Sequence, residues 1–223
     1  PAYEVSLGPV GSEMGIRDRY KGNEKDLLMF GRWLMSNANA SAPLFYMIPK
    51  IHKPTLAGRP ITANHSWMFR SFSIYLDRIL LPFIRQTPSY LLNSSSLLPL
   101  LMAEESSEDI WLVTGDVESL YPSINLDDLE SLLQQHAPQI IALARRAKVP
   151  FSRLLDPETF MKIAHALLRN QLASHQGKLW LQLVGIPMGT QCAPQLANFF
   201  MHCLEHRVIK PPCLLYTSDA ADE

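Results

Sequence analysis

A single carboxylate at the end of an apolar run is the feature that most constrains the fold. The run Ile-Trp-Leu-Val at 110–113 leads through Thr114 and Gly115 to Asp116. A short apolar run that ends at a turn is typical of a buried β-strand. A carboxylate at the end of a rigid core strand is held in place, as a site for a divalent cation requires. We therefore expect Asp116 to be a metal ligand.

A second segment, at 185–200, reads GIPMGTQCAPQLANFF. Gly185 and Gly189 permit backbone conformations or close approaches that a Cβ atom would forbid, and Pro187 stiffens the turn between them. Pro194 suits the first turn of a helix. The segment therefore predicts a glycine-hinged turn followed by a helix. The apolar positions of that helix are Leu196, Phe199, Phe200, Cys203 and Leu204.

Three segments together resemble reverse transcriptases. Residues 115–124 (GDVESLYPSI) resemble the palm aspartate motif, and 185–189 (GIPMG) resemble the Gly-x-Pro-x-Gly substrate-platform motif. Residues 45–61 (FYMIPKIHKPTLAGRPI) resemble the fingers region. Within them, Pro-Lys-Ile-His-Lys followed by Arg-Pro-Ile is most similar to the reverse transcriptases encoded by Penelope-like retrotransposons, a branch of the retroelements. The resemblance covers roughly residues 43–205, and three ordered motifs make it more specific than any one alone.

The resemblance implies an α+β fold, with the fingers and part of the palm of a right-hand polymerase and an antiparallel sheet packed on helices. It divides the chain into a helical and linker segment at 1–42, a fingers-like region at 43–109 and a partial palm at 110–212. Residues 213–223 (CLLYTSDAADE) closely resemble a translated transposon adapter from sequencing libraries, so we expect a non-native tail. No Tyr-x-Asp-Asp motif occurs. We therefore expect the rest of the palm and the thumb to be missing.

The resemblance also implies roles for residues of the first motif. Asp116 and the Val117 carbonyl would bind Mg²⁺ or Mn²⁺, and this pair of oxygen ligands suits either hard cation. Ser119 and Leu120 would present backbone N–H groups to the triphosphate. Tyr121, five residues after the aspartate, would act as a steric gate against a ribose 2′-hydroxyl and so favour deoxynucleotides.

The other two motifs would complete the nucleotide site. Met188 and Gly189 would form a flat platform under the incoming sugar and base. Lys53 and Arg59 would hold the β- and γ-phosphates. The pattern leaves the choice between Lys50 and Lys53 open.

Charge is divided unevenly along a chain whose net charge is only −1. Residues 41–90 contain six Lys or Arg against one acid, whereas 104–130 contain nine acids and no Lys or Arg. A basic region that binds phosphates, followed by an acidic region that binds metal, is typical of a polymerase. Most of these acids also fit solvated loop and helix faces, so only Asp116 is assigned to metal and Glu118 to solvent.

Length and composition argue against several other classes of protein. With 223 residues, 47% of them hydrophobic, the chain can bury a substantial core. No apolar run approaches the roughly 18 residues that span a bilayer, so no membrane partner is expected. Three cysteines without Cys-x-x-Cys spacing argue against a zinc ribbon or disulfide scaffold. We expect an intracellular protein, nuclear or cytoplasmic if it comes from a eukaryotic retroelement, and its oligomeric state is left open.

The sequence therefore predicts an RNA-directed DNA polymerase, a nucleotidyltransferase that uses two metal ions, an RNA template, a DNA primer and dNTPs. Without the second aspartate motif, the chain alone is expected to be inactive. One alternative is a non-catalytic nucleic-acid-binding module that uses the basic region. Another is a zinc metallopeptidase, because His202, Glu205 and His206 spell His-x-x-Glu-His.

Local patterns predict the remaining elements. Ser71 is predicted to cap a helix through Phe83, Asn125 to cap a second, and Asp156-Pro157 to begin a third. Gly58 and Pro60 are expected in a loop. The other predicted elements are a helix at 24–35, a linker at 36–42, an extended segment at 44–51, a turn around Gly177 and a strand at 179–184.

Overall fold

The computed structural model describes residues 24–35, 41–51, 58–103 and 114–208. These ranges contain four strands and seven α-helices. The strands are β1 (Leu44–Pro49), β2 (Gly58–Ala63), β3 (Leu172–His175) and β4 (Lys178–Leu181). The helices are α1 (Glu24–Leu34), α2 (Arg70–Ile84), α3 (Leu97–Ala103), α4 (Leu120–Ser123), α5 (Leu126–Arg146), α6 (Pro157–Arg169) and α7 (Ala193–Val208).

The four strands form one mixed sheet in the order β2-β1-β3-β4. β1 and β2 are antiparallel, with Phe45 opposite Thr62, and β3 and β4 form a second antiparallel hairpin. β1 and β3 run parallel and meet at Leu44 and Ser174. The expectation of an antiparallel sheet is therefore wrong at the central β1–β3 pair, although the coarser expectation of a fold that mixes helices with a sheet is confirmed.

Helix α2 forms the centre of the hydrophobic core. Its residues Leu76, Ile79 and Leu80 are at most 1% exposed. Phe83 of α2 packs against Phe199 of α7, with ring centroids 5.6 Å apart. On the other side, Tyr75 of α2 contacts the ring of Phe30 in α1 at 4.8 Å. Helix α2 also packs against α5 and α6, so four helices contact it while Arg70 and Arg78 remain exposed.

Two predicted helix starts are confirmed by side-chain caps. Asn125 Oδ1 accepts hydrogen bonds from the N–H groups of Asp127 at 2.8 Å and Asp128 at 3.2 Å. Asp156 Oδ1 accepts from the Thr159 N–H at 2.7 Å, with Pro157 following the cap. Each cap satisfies donors that the first helical turn leaves without an intrahelical acceptor. The helix predicted at 24–35 and the helix containing Pro194 are also present, as α1 and α7.

Two local predictions are wrong. Ser71 does not cap α2, because the helix begins at Arg70 after Phe69 and the Ser71 side chain is buried inside its first turn. Gly58 and Pro60 lie in β2 and not in a loop. Proline is tolerated there because β2 is an edge strand, where a missing N–H breaks no ladder hydrogen bond.

The second hairpin also differs from the pattern. The strand expected at 179–184 is shorter, as β4, and its partner β3 was not predicted. The turn around Gly177 is confirmed, since Gln176 and Gly177 have φ of 50° and 73°, as a tight hairpin turn requires. The predicted strand at 110–113 lies outside the described residues, as does most of the predicted linker at 36–42.

None of the helices in the described ranges combines the length and apolar character that crossing a bilayer would require.

Candidate active site

The glycine-hinged loop at 185–189 lies directly against the segment that follows Asp116. The N–H of Gly185 donates to the Ile124 carbonyl at 3.1 Å, and the N–H of Ile186 donates to the Tyr121 carbonyl at 2.9 Å. Gly185 has φ of 76°, and a Cβ there would lie 2.6 Å from Pro122 Cα. Only glycine allows this approach, so the glycine is what brings the second motif onto the first.

The same loop also binds the outer edge of β2. The N–H of Thr62 donates to the Met188 carbonyl at 2.8 Å. Gly189 has φ of 110°, and a Cβ atom at this position would overlap the Thr62 carbonyl oxygen. Because β2 is an edge strand, its outward N–H and carbonyl groups are open to such an added partner. The loop therefore joins the β1–β2 hairpin to the segment that follows Asp116.

Two buried polar pairs fix the far end of the loop. Asn64 Nδ2 donates to Thr190 Oγ1 with both residues buried. Ser73 Oγ, on α2, accepts from the Cys192 N–H at 3.1 Å. Buried polar groups that satisfy one another resist displacement, because separating them leaves unpaired donors in a low-dielectric interior.

Burial at this junction changes the chemistry of Cys192. Desolvation raises the pKa of its thiol to about 12, although the hydrogen bond with Ser73 opposes this shift. The side chain is fully buried. Cys192 is therefore a packed, neutral thiol at the start of α7 and not a nucleophile.

The residues predicted in the first motif lie at an exposed turn. Asp116 and Val117 are exposed in an irregular segment before α4. Ser119 has φ of 55°, a left-handed conformation that turns the chain into α4, where Leu120 is the first residue. Tyr121 is half-buried and packs against the core. The exposed Asp116 thus lies close in sequence to Tyr121, whose carbonyl accepts a hydrogen bond from the loop at 185–189.

The predicted phosphate-binding cations are arranged on the β1–β2 hairpin. Arg59 lies opposite Ile48 in the ladder and three residues before Thr62, or about 10 Å along the strand. Lys50 follows β1 directly and is half-buried. Lys53 lies outside the described residues, so the choice between the two lysines stays open.

Asp116 is the one carboxylate predicted to bind metal. A site with a single carboxylate suits a cation that takes most of its ligands from water and substrate. Within the described ranges, no group of three or more His, Cys, Asp or Glu side chains is arranged to hold a metal ion. Mg²⁺ is usually bound by one or two carboxylates together with water and substrate phosphates. The exposed Asp116 carboxylate beside the Val117 carbonyl fits that mode of binding, in which the nucleotide supplies the remaining oxygens.

His202, Glu205 and His206 are engaged in packing on α7. The His202 ring lies 5.9 Å from the Phe83 ring and 5.3 Å from the His206 ring. Glu205 Oε2 accepts a hydrogen bond from Ser89 Oγ at 2.8 Å. Burial, followed by the charges of His206 and His136, lowers the pKa of His202, and burial raises the pKa of Glu205. These contacts give no support to the zinc peptidase alternative.

Sequence reasoning missed the residues that hold the motifs together. Thr62, Asn64, Ser73 and Thr190 were not singled out, although each is buried and polar in the structure. A polar residue inside an otherwise apolar stretch, such as Ser73 between Phe72 and Ile74, is the only sequence signal for such a contact. Its partner is more than a hundred residues away, so the pattern could not identify the pair.

No protein-family model matches this chain, and a search of curated proteins found no similar sequence.

Proposed function

We propose that this chain is the nucleotide-binding part of an RNA-directed DNA polymerase of a retroelement. The observation that carries the proposal is the double attachment of the loop at 185–189. One side of the loop is hydrogen-bonded to Tyr121 and Ile124, and the other side to Thr62 of β2. The three segments that resemble reverse-transcriptase motifs are thereby contiguous, although they are far apart in sequence.

This arrangement suits the chemistry of nucleotidyl transfer. That reaction depends on positioning and on neutralising the triphosphate charge, which a bound divalent cation supplies. Asp116 and the Val117 carbonyl would hold such a cation. Met188 and Gly189 would support the sugar and base, and Arg59 would bind phosphate oxygens. Tyr121 would exclude a ribose 2′-hydroxyl.

Nucleotide binding tests the role of Asp116. With a fluorescent dATP analogue and Mg²⁺, we expect Asp116→Asn to weaken binding about tenfold, or about 1.4 kcal/mol, because the cation loses its only carboxylate. Glu118→Gln is the matched control, since Glu118 is also exposed and lies two residues away. Equal affinities of the two variants in the presence of Mg²⁺ would contradict the assigned role of Asp116.

The chain by itself should show no primer extension. Two-metal transfer needs a second carboxylate cluster, and the sequence contains no Tyr-x-Asp-Asp motif. Extension of a labelled DNA primer on an RNA template, resolved on a denaturing gel, measures this directly. Extension that disappears in Asp116→Asn would mean that another residue supplies the second metal site.

A non-catalytic nucleic-acid-binding module is the second candidate, favoured by the same missing motif. It requires salt-dependent RNA or DNA binding together with no affinity for dNTPs. The dATP titration therefore separates the two candidates.

A further inference from the structure

Three arginines lie in a row on the exposed face of α2. Arg70, Arg78 and Arg85 are all exposed, and Arg85 caps the helix with α-helical φ and ψ. Helical geometry, at 3.6 residues per turn, places the three positions within about 80° of one another around the axis. Along the axis they are spaced by about 12 Å and about 10 Å. We call these residues the α2 arginine row.

The row has a rigid support, and its three arginines are exposed. The opposite face of α2, including Leu76, Ile79 and Leu80, is almost fully buried in the core. Of the ion pairs formed between residues in the described ranges, none includes an arginine of the row. Asp77 is the only acid on α2, so this helix and its cap carry three arginines against one acid. The three exposed arginines are therefore held on a fixed backbone that presents positive charge to an anionic partner.

The row begins close to the candidate active site and leads away from it. Ser73, one turn into α2, is bonded to Cys192 at the start of α7. Asn64, shortly before α2, is hydrogen-bonded to Thr190, the residue that follows the loop at 185–189. Arg70 lies between these two anchors in sequence, whereas Arg85 lies at the far end of α2. A linear anion that passes the site could thus continue along the helix.

We propose that the α2 arginine row binds the phosphate backbone of a nucleic-acid strand. At about 3.4 Å of rise per nucleotide, the spacing matches one arginine for roughly every three phosphates. Guanidinium groups bind phosphate oxygens in a bidentate fork, which favours this partner. A membrane surface fits less well, because the apolar face of α2 is buried in the core and cannot insert into lipid. The proposal does not depend on polymerase activity, since phosphate binding needs neither Mg²⁺ nor a dNTP.

Salt-dependent binding tests the row. Fluorescence anisotropy would be measured with labelled 20-nucleotide RNA, DNA of the same sequence, and the DNA duplex, between 50 and 200 mM salt. Removing three phosphate contacts in R70Q/R78Q/R85Q should reduce the slope of log K against log salt by about 2 for single strands and about 3 for the duplex. Across this salt range, the original chain should therefore lose about 20- to 40-fold more affinity than the variant.

The control variant R146Q/R153Q/K162Q removes the same charge from exposed residues of α5, α6 and the turn between them. It should keep the original slope, and thermal unfolding should show that both variants fold. Equal slopes for the two triple variants would overturn the proposal. Binding to vesicles containing phosphatidylserine, with no binding to any of the three nucleic acids, would also overturn it and assign the row to a membrane. Loss of dATP binding in Asp116→Asn bears only on the polymerase proposal.

Discussion

At the scale of single residues, two glycines determine whether the motifs meet. Gly185 and Gly189 both have positive φ, and each lies where a Cβ would overlap neighbouring backbone. Sequence reasoning predicted that these positions need glycine. It did not predict the partners, which are Pro122 for Gly185 and Thr62 for Gly189.

Gly189→Ala is expected to destabilise the fold and separate the loop from β2. The left-handed conformation alone costs about 1–2 kcal/mol for a residue with a Cβ. The overlap with the Thr62 carbonyl should add about 1–3 kcal/mol. Urea denaturation measures the free energy of unfolding. Gly177→Ala is the matched control, because Gly177 has φ of 73° but a Cβ added there would meet no atom within 4 Å. Equal losses in the two variants would show that the contact with Thr62 contributes nothing.

At the scale of elements, sequence patterns predicted the helices better than the strands. Asn125 and Asp156 act as caps within their own turn, so their neighbours in sequence suffice to identify them. β3 has only four residues and takes its place in the sheet from β1, more than a hundred residues earlier. Strand formation there depends on the partner and not on a local pattern.

The stability of the packing between α7 and α2 should depend on pH, because His202 of α7 contacts Phe83 of α2. Burial lowers the pKa of His202 from 6.5, so the folded chain binds this proton less tightly than the unfolded chain. Stability should therefore fall as the pH decreases below about 6.5. Melting temperatures at pH 7.5 and 5.5 should show a smaller decrease for His202→Gln than for the original chain.

His175→Gln is the control for this comparison, because His175 is exposed on β3. It should keep the original pH dependence. Glu205, whose pKa is raised by burial, acts in the opposite direction as its protonation favours the folded state. Since Glu205 is present in all three proteins, its effect cancels. An unchanged pH dependence in His202→Gln would exclude His202 as its source.

At the scale of the whole molecule, one core connects the helices that support the site. Phe199 of α7 is fully buried and contacts Phe83 of α2 at 5.6 Å and His136 of α5 at 5.5 Å. It therefore lies where three helices meet. Three residues separate α7 from the loop at 185–189, and one of them, Cys192, is hydrogen-bonded to Ser73 of α2.

Phe199→Ala should lower the free energy of unfolding by about 3–5 kcal/mol, because it removes a large side chain and leaves a cavity. Phe200→Ala offers a control one residue away, where the side chain is only partly buried. Its loss should be clearly smaller. Urea titration followed by circular dichroism measures both. Similar losses would indicate that the junction of the three helices is less tightly packed than the structure shows.

Residues within a few positions of one another were enough to predict five helices (α1, α2, α5, α6 and α7), the caps at Asn125 and Asp156 and the turn at Gly177. The need for glycine at 185 and 189 was also predicted, without the distant residues that each one contacts. The sequence also supplied the motif resemblance behind the polymerase proposal. The mixed sheet, the pairing of Met188 with Thr62 and the burial of Ser73 against Cys192 became visible only in the folded chain. Those contacts join segments far apart in the chain, and their free energy comes from backbone hydrogen bonds and packing that exist only once the chain has folded.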